Sequence, residues 1–153
     1  MSRVVFMCGP AGSGKTTYAR RLEEQGMTRL SFDVEMWRRG IDVVPLPADL
    51  RAEIEDSLRE RLLRLVEQGA DVVLDFSFWS RAMREQWRRV LEPAGVVPHT
   101  VYLATDRATV LQRLGDRSGD HPDDFAIPDD LAAHYYDHFE VPTAEEGPLT
   151  VVR

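Results

Sequence analysis

The stretch that decides the fold lies near the N-terminus and is Gly9-Pro10-Ala11-Gly12-Ser13-Gly14-Lys15-Thr16. It matches G-x-x-x-x-G-K-[ST], the pattern of a phosphate-binding P-loop. Glycines allow backbone conformations that aim successive N–H groups inward, and a helix that begins at the end of such a loop adds partial positive charge. The stretch therefore predicts a cradle for the phosphates of a nucleotide.

The residues on either side of this stretch support the motif. The apolar run before it, Arg3-Val4-Val5-Phe6-Met7-Cys8, is typical of a buried parallel strand. The run after it predicts the beginning of a helix and is Thr16-Thr17-Tyr18-Ala19-Arg20-Arg21-Leu22. A strand, a glycine-rich loop and a helix in this order are the context in which the motif holds phosphate. The alternative is a glycine-rich turn with a chance lysine, which these flanks disfavour.

Lys15 is the only lysine among the 153 residues, and arginine occupies every other Lys or Arg position. An ammonium group is compact whereas a guanidinium is a broad planar fork, so a loop wrapped around a triphosphate has room only for lysine. We expect Lys15 to reach the β- and γ-phosphates, Thr16 to ligate Mg²⁺, and Thr17 to bind the nucleotide with the rest of the loop. A guanine-reading N-K-x-D motif needs a second lysine, so ATP is expected rather than GTP.

Length and composition indicate one globular domain spanning residues 1–153. The apolar fraction is 43% and the charged fraction 29%, as is usual for a globular protein. No apolar run reaches membrane-spanning length and no signal-peptide pattern is present, so we expect a cytoplasmic protein without a membrane partner. The single cysteine, Cys8, has no partner for an internal disulfide and is expected to be a small buried residue. Nothing in the sequence indicates an oligomeric state.

The charge distribution bears on the class of ligand. The net charge is −7, and residues 118–147 contain nine Asp or Glu residues but no Lys or Arg. A long polyanion would be repelled by this segment, whereas a small substrate could enter a locally basic cleft. The sequence therefore disfavours a nucleic-acid ligand without excluding one.

Apolar patterns alternate between strand and helix along the chain. Strands are predicted at 3–8, 28–32, 71–75, 96–103 and 149–152, and helices at 47–68, 80–93, 106–117 and 128–139. Such alternation predicts an α/β fold with a five-stranded parallel sheet and helices on both faces, which is the three-layer fold of P-loop NTPases.

Two aspartates follow predicted strands at the edge of the sheet where the P-loop lies. Asp33 ends the second strand and Asp75 ends the third, and ligands of parallel sheets bind beyond the carboxyl ends of the strands. Asp75 resembles the acid of a Walker B strand, which holds Mg²⁺ or its water shell. Asp33 is the candidate general base for a hydroxyl acceptor, although an aspartate after a strand is also a common helix cap or turn residue.

Two arginines are candidates for the cations around the γ-phosphate. Arg113 and Arg117 are four residues apart, so they share one face of a helix. A solvated helix face is the alternative for this pair. The segment that follows, residues 118–127, begins with the turn-forming residues of a hinge, and we expect a short lid there that closes over the nucleotide.

In the order of these elements, nearly the whole chain resembles P-loop kinases of the group that contains chloramphenicol phosphotransferase, the zeta-toxin kinases and polynucleotide 5′-kinase. The resemblance implies ATP and Mg²⁺ as cofactors and Asp33 as the base. Arg113-Leu114-Gly115-Asp116-Arg117 is similar to the beginning of nucleoside-kinase lids. That similarity implies that Arg113 packs on adenine and that Arg117 contacts phosphate. Asp75-Phe76-Ser77-Phe78-Trp79-Ser80-Arg81 is similar to the family's segment after the third strand, which implies that Arg81 contacts the acceptor or phosphate.

The chain departs from polynucleotide kinases at Phe76, Phe78 and Trp79, where that family has small polar residues. These aromatic side chains predict either an apolar pocket for the acceptor or packing in the core. Trp37 and Trp79 both follow candidate site aspartates, so we assign them to the acceptor site together with Arg38.

These features predict a P-loop kinase that moves the γ-phosphate of ATP to a hydroxyl of a small molecule. A polynucleotide 5′-hydroxyl kinase is the nearest alternative, because it performs the same chemistry on another acceptor. A slow ATPase that gates a binding partner is an alternative of a different class. A nucleoside monophosphate kinase is disfavoured by the aromatic residues after Asp75.

Overall fold

The computed structural model describes residues 2–41, 46–117 and 127–153. Its strands are β1 (Val4–Cys8), β2 (Thr28–Ser31), β3 (Val72–Ser77), β4 (His99–Leu103) and β5 (Leu149–Val152). They form one sheet in the order β2-β3-β1-β4-β5, and every neighbouring pair is parallel. The predicted α/β fold with a five-stranded parallel sheet is confirmed.

Six α-helices flank the sheet in the described part of the chain. They are α1 (Lys15–Glu24), α2 (Phe32–Arg38), α3 (Ala48–Glu67), α4 (Arg81–Leu91), α5 (Arg107–Gly115) and α6 (Asp129–Asp137). Two short 3-10 helices, Glu92–Ala94 and Ala144–Glu146, complete the described elements. None of the helices in these ranges is long and apolar enough to cross a bilayer.

The two faces of β1 contribute to two separate cores. One core lies on the face that α3 and α4 cover and includes Phe6, Ile54 and Trp87. The other lies on the face that α1 covers and includes Met7 and Ala19. Because both faces of β1 are buried, its residues are apolar throughout, as the uninterrupted apolar run predicts.

The second strand ends earlier than the sequence predicts. Ser31 accepts a hydrogen bond from the backbone N–H of Val34 at 3.3 Å and so caps a helix that begins at Phe32. Asp33 therefore lies in the first turn of α2, and the prediction that it ends β2 is wrong. The residue still follows β2 by two positions, at the carboxyl edge of the sheet.

The third strand is longer than predicted and the fourth is shorter. β3 continues beyond Asp75 to Ser77 because its residues stay paired with β1, so Asp75 lies inside the strand rather than at its end. β4 begins at His99 rather than at Val96. Pro98 has no backbone N–H to donate to the sheet, which keeps the preceding residues out of the strand.

The four helices predicted between residues 47 and 139 are confirmed, with ends that differ by one or two residues. Ser80 caps α4 as predicted, because its hydroxyl accepts a hydrogen bond from the backbone N–H of Met83 at 3.1 Å. Gly95 adopts a left-handed conformation with φ of 70° where the segment after α4 ends. The helix α2 has no counterpart among the predicted helices.

Cys8 is fully buried at the end of β1. Burial raises the pKa of the Cys8 thiol to about 12, so the group stays protonated at neutral pH. The prediction of a small buried residue is confirmed.

A buried ion pair joins α4 to the segment before β5. The side chains of Arg84 and Glu146 are 1% and 2% exposed. Arg84 donates from Nε to Oε1 of Glu146 at 2.7 Å and from Nη2 to Oε2 at 3.2 Å. Its Nη1 donates to the backbone carbonyls of Phe78 at 2.7 Å and Glu140 at 2.9 Å. One guanidinium therefore connects the turn after β3, the helix α4 and the C-terminal segment.

The same contacts hold Glu146 in its charged form. Burial acts to raise the pKa of Glu146, but hydrogen bonds from Arg84 and from the Thr143 amide outweigh burial and lower the pKa from 4.5 to about 2. A carboxyl group with a lowered folded pKa stabilises the fold above its unfolded pKa and loses that contribution as pH falls through the folded value. The ion pair should therefore stabilise the fold fully above pH 4.5 and progressively less toward pH 2.

We predict that Glu146→Gln destabilises the protein by about 3–5 kcal/mol at neutral pH, because it leaves the Arg84 guanidinium buried without a counter-charge. The difference in free energy of unfolding between the two proteins should become smaller between pH 4.5 and 2, because Glu146 of the native protein becomes protonated there. Urea unfolding of both proteins across this range measures the deficit. Glu145→Gln is the matched control, since Glu145 is exposed on the same 3-10 helix. A deficit of equal size at every pH would contradict the prediction.

Candidate active site

Two glycines of the P-loop hold the left-handed backbone that the motif requires. Gly12 has a φ of 84° and Gly14 a φ of 98°. A Cβ atom on Gly12 would lie 2.9 Å from the carbonyl oxygen of Val110 in α5, and one on Gly9 would collide with the hydroxyl of Ser13. The backbone conformation and the close packing therefore permit only glycine at these positions.

Hydrogen bonds from the region of α5 fix the loop. The hydroxyl of Thr105 donates to the carbonyl of Ser13 at 2.6 Å, and Nη1 of Arg113 donates to the carbonyl of Gly12 at 3.2 Å. These two bonds tie the backbone of the P-loop to the segment after β4 and to α5.

Lys15 and Thr16 begin α1 at the end of the loop. Lys15 is 6% exposed, and the Thr16 hydroxyl donates a hydrogen bond to Oδ2 of Asp75 at 2.9 Å. The pairing of β1 with β3 sets Met7 opposite Asp75, so the loop after β1 passes beside that carboxylate. The structure thus brings the two predicted metal-binding residues into contact.

Asp75 fits the role of a carboxylate beside a hydrated metal ion. Its side chain is 2% exposed, and Arg29 donates to its Oδ2 from Nε and Nη2, each at 3.2 Å. The other oxygen, Oδ1, is buried and has no hydrogen-bond partner among the described residues. A buried acceptor without a partner marks a place for water or an ion. Carboxylate oxygens and bound water are what Mg²⁺ prefers, so Thr16 and Asp75 fit this metal.

Arg29 is a site residue that the sequence analysis missed. It lies in the four-residue strand β2 opposite Val73 of β3, and its side chain is 9% exposed. A buried charge within a strand needs a counter-charge, because burying an unpaired ion is costly. An arginine within a short strand was therefore the feature of the sequence that could have indicated a buried ion pair. Asp75 is its partner in that pair.

A cleft of about 610 Å³ opens beside the loop. Its cationic lining residues are Lys15, Arg20, Arg21, Arg113, Arg117 and Arg153. No acidic side chain among the described residues lines it, although the chain as a whole carries a net charge of −7. The size and charge of the cleft suit a nucleotide. The structure thus places Arg113 and Arg117 in one cleft with the P-loop.

Several cleft residues were not predicted from the sequence, and they are Tyr18, Arg20, Arg21, Thr105, Val152 and Arg153. They come from α1, from the residues after β4 and from the end of the chain. No motif marks them, since only the order of the strands brings these segments together.

Three candidate acceptor residues lie on α2 and are not among the residues that line the cleft. Asp33 is half-buried, Trp37 is 41% exposed, and Arg38 is exposed in the last turn. The helix begins beside β3, because the Phe32 ring packs edge-on against Phe76 with centroids 4.8 Å apart. Asp33 and the segment after Asp75 therefore lie at the same edge of the sheet.

The other candidate acceptor residues follow β3. Trp79 is 46% exposed, and its carbonyl accepts a hydrogen bond from the backbone N–H of Glu140 at 2.8 Å. Arg81 is exposed at the start of α4 and donates to Glu85 at 3.0 Å. The structure brings neither of them into contact with the P-loop cleft.

Phe76 and Phe78 belong to the core rather than to an acceptor pocket. Phe78 is fully buried and stacks on Phe6 with ring centroids 4.3 Å apart. Phe76 is 4% exposed and lies 5.0 Å from the Trp87 ring. Ser77 and Phe78 have positive φ angles of 68° and 51°, a strained turn that Arg84 holds through the carbonyl of Phe78.

The predicted lid covers residues 118–127, of which 118–126 lie outside the described residues. Ile127 packs against a small cluster of Val110, Leu114 and Ala132 from α5 and α6.

Solved structures of kinases have the same fold as this chain. A sugar kinase from Janibacter sp. HTCC2649 has a TM-score of 0.70 at 22% identity, covering 99% of this chain and 85% of that one. A gluconokinase from Sinorhizobium meliloti 1021 has a TM-score of 0.67 at 23% identity, covering 98% and 81%. A chain of the Pnkp1/Rnl/Hen1 RNA repair complex has a TM-score of 0.73 at 13% identity, covering 90% and 43%. At these identities the similarity shows a shared fold.

No curated protein matches the chain in sequence. The profile of the AAA domain family AAA_33 matches residues 4–142, a span that runs from β1 to beyond α6. The matched residues include the P-loop, Asp75, Arg113 in α5 and Arg117 just after α5. Because this match covers most of its length, the chain belongs to the AAA_33 family of AAA domains.

Proposed function

We propose that this protein is an ATP- and Mg²⁺-dependent kinase that transfers the γ-phosphoryl group of ATP to a hydroxyl of a small molecule. The observation that carries the proposal is the hydrogen bond from Thr16 to Asp75 beside the buried Lys15. A loop that bound only phosphate would be weakened by a buried carboxylate at its edge, because like charges repel. A divalent cation, which Thr16 and Asp75 would hold, would offset this repulsion.

Each residue around the loop has a separate role in this proposal. When bound, Mg²⁺ and ATP supply the phosphoryl group and neutralise the charge that develops as it is transferred. Lys15 contacts the β- and γ-phosphates, while Thr16 and Asp75 hold the metal ion or its water. Arg113 and Arg117, which line the same cleft, stabilise negative charge on the phosphates.

Asp33 is the proposed general base. It is half-buried in the first turn of α2, where the partial positive charge of the helix N-terminus favours the carboxylate form. Asp33 accepts the proton of the acceptor hydroxyl while the hydroxyl oxygen bonds to the γ-phosphorus and ADP leaves. The position of Asp33 at the same sheet edge as Asp75 supports this role.

The acceptor is proposed to bind between α2 and the segment after β3. Trp37 and Trp79 are large apolar side chains that stay exposed, which is typical of ligand-binding surfaces. Arg38 makes no ion pair with the described residues, whereas Arg81 already pairs with Glu85. Arg38 is therefore the stronger candidate for a polar contact with the acceptor.

A polynucleotide 5′-hydroxyl kinase is the second candidate. The similarity to a chain of an RNA repair complex favours it, and exposed tryptophans can stack on bases. The acidic C-terminal third argues against it, because a long polyanion would be repelled there. A slow ATPase that gates a partner is the third candidate and differs in forming no phosphorylated product.

A screen of phosphoryl transfer from γ-labelled ATP tests the three candidates. With Mg²⁺ present, we expect a labelled ester on at least one compound among nucleosides, sugars and antibiotics, and none on 5′-hydroxyl oligonucleotides. Transfer only to oligonucleotides, with binding that weakens steeply as salt rises, would favour the second candidate. Release of inorganic phosphate alone would favour the ATPase and contradict the proposal.

Lys15→Arg tests whether the loop requires the compact ammonium. The charge is kept, but the guanidinium is too broad for a buried position within the loop. We expect the rate of phosphoryl transfer to fall by about 100- to 1,000-fold, as for loss of one preorganised electrostatic contact. Steady-state kinetics and thermal unfolding, measured together, separate this loss from misfolding. Activity close to that of the native protein would rule out the assigned role.

Asp33→Asn tests the general base. We expect the rate of transfer to fall by at least about 100-fold, because the amide cannot accept the proton, while ATP affinity stays nearly unchanged. Asp130→Asn is the matched control, since Asp130 also lies in the first turn of a helix and is exposed. Calorimetric titration with ATP and a transfer assay measure the two quantities. Full activity of the Asp33 variant would remove the assignment.

A further inference from the structure

Arg51 has a position on α3 that helix formation alone does not explain. The helix begins at Ala48, so Arg51 stands near the N-terminal end, where the partial positive charge of the helix disfavours a cation. Glu55, one turn further, accepts a hydrogen bond from its Nε at 3.0 Å and offsets part of this cost. The stability of α3 therefore does not explain an arginine at this position, and we looked to its surroundings for a binding role.

Side chains from two other helices contact the guanidinium of Arg51. Its Cζ lies 5.8 Å from the centre of the Phe32 ring in α2, and its Nη2 lies 3.9 Å from Sδ of Met83 in α4. We call Phe32, Arg51 and Met83, which come from α2, α3 and α4, the Arg51 cluster.

The Nη groups of Arg51 remain available to a ligand. Nη1 has no hydrogen-bond partner among the described residues, and Nη2 contacts only a thioether sulfur, which is a weak acceptor. The side chain is 40% exposed. By contrast, Arg39 and Arg61 are both engaged by Glu35. Arg51 pairs with Glu55 through Nε alone, so its two Nη groups remain for a second anion.

The Arg51 cluster adjoins the proposed active site. Phe32 directly precedes Asp33, and its ring packs against Phe76, the residue after Asp75. A molecule bound at the Arg51 cluster would therefore lie near the sheet edge proposed to bind the phosphates and the metal. A guanidinium fork binds a carboxylate or a phosphate through two parallel hydrogen bonds, with geometric selectivity that a single charge lacks.

We propose that Arg51 binds an anionic group of the acceptor, so that the substrate is a hydroxylated acid with a carboxylate or phosphate group in addition to the hydroxyl. This inference rests on the proposed kinase function and names the substrate class of the same site. An anion close to Asp33 and a triphosphate meets like-charge repulsion. Arg51 offsets that repulsion and fixes the end of the acceptor that does not react.

Matched acceptors test the substrate class in the native protein. The assay compares aldonic acids, alditols of the same carbon number and the corresponding sugar phosphates, each with ATP and Mg²⁺. We expect kcat/KM for the better anionic series to exceed that for the alditols by about 10- to 100-fold, as hydrogen bonds to a charged group provide. Preference between the carboxylate and phosphate series identifies which anion the Arg51 cluster binds.

Arg51→Gln tests the residue itself. We expect the preference for acid over alditol to fall by about 10- to 100-fold, mainly through a higher KM for the acid, while Arg51→Lys retains part of it. Arg59→Gln is the matched control, since Arg59 lies on the same helix and pairs only with the exposed Asp56. A purely structural role would lower kcat/KM for both classes alike and leave the preference unchanged.

The outcomes separate this inference from the function on which it rests. Equal native activity on acids and alditols, or an unchanged preference in Arg51→Gln, would overturn the inference and leave the kinase function standing. Hydrolysis of ATP without transfer to any acceptor would overturn both, and would show that the kinase function had failed.

Discussion

The hydrogen bond from Thr16 to Asp75 joins positions 59 residues apart, and the whole phosphate-binding edge depends on it. It exists because β1 and β3 are neighbours in a parallel sheet although β2 lies between them in sequence. Arg29 approaches the same carboxylate from β2 on the far side. Three adjacent strands therefore contribute to one chain of contacts. The strand order brings the local loop motif together with the carboxylate proposed to hold a metal ion.

The local features of the fold were predictable because each is encoded in a few consecutive residues. The glycines of the P-loop, the apolar run of β1 and the Ser80 cap all depend on short-range chemistry, and the structure confirms them. The end of β2 was mispredicted because Ser31 can both continue a strand and cap a helix. In the structure the Ser31 hydroxyl accepts a hydrogen bond from the Val34 amide, so the strand ends and a helix begins. The sequence pattern does not show which of the two Ser31 will do.

The parts of the site that the sequence did not disclose are those assembled across long separations. Arg29 meets Asp75 only because β2 lies beside β3, and Thr105 reaches the loop only because β4 lies beside β1. The aromatic residues after Asp75 show the same limit. Phe78 enters the core and Trp79 does not, since the left-handed turn at 77–78 redirects the chain between them. Composition alone could not distinguish these two environments.

The pairing of Arg84 with Glu146 across 62 positions has a consequence for biosynthesis. On the ribosome α4 is complete well before Glu146 is made, so during that interval the nascent guanidinium has no carboxylate partner and stays hydrated. The turn whose Phe78 carbonyl it later holds reaches its final form only when the segment that leads into β5 has emerged. The cleft beside the P-loop, which Val152 and Arg153 line, is likewise complete only after this segment has been made.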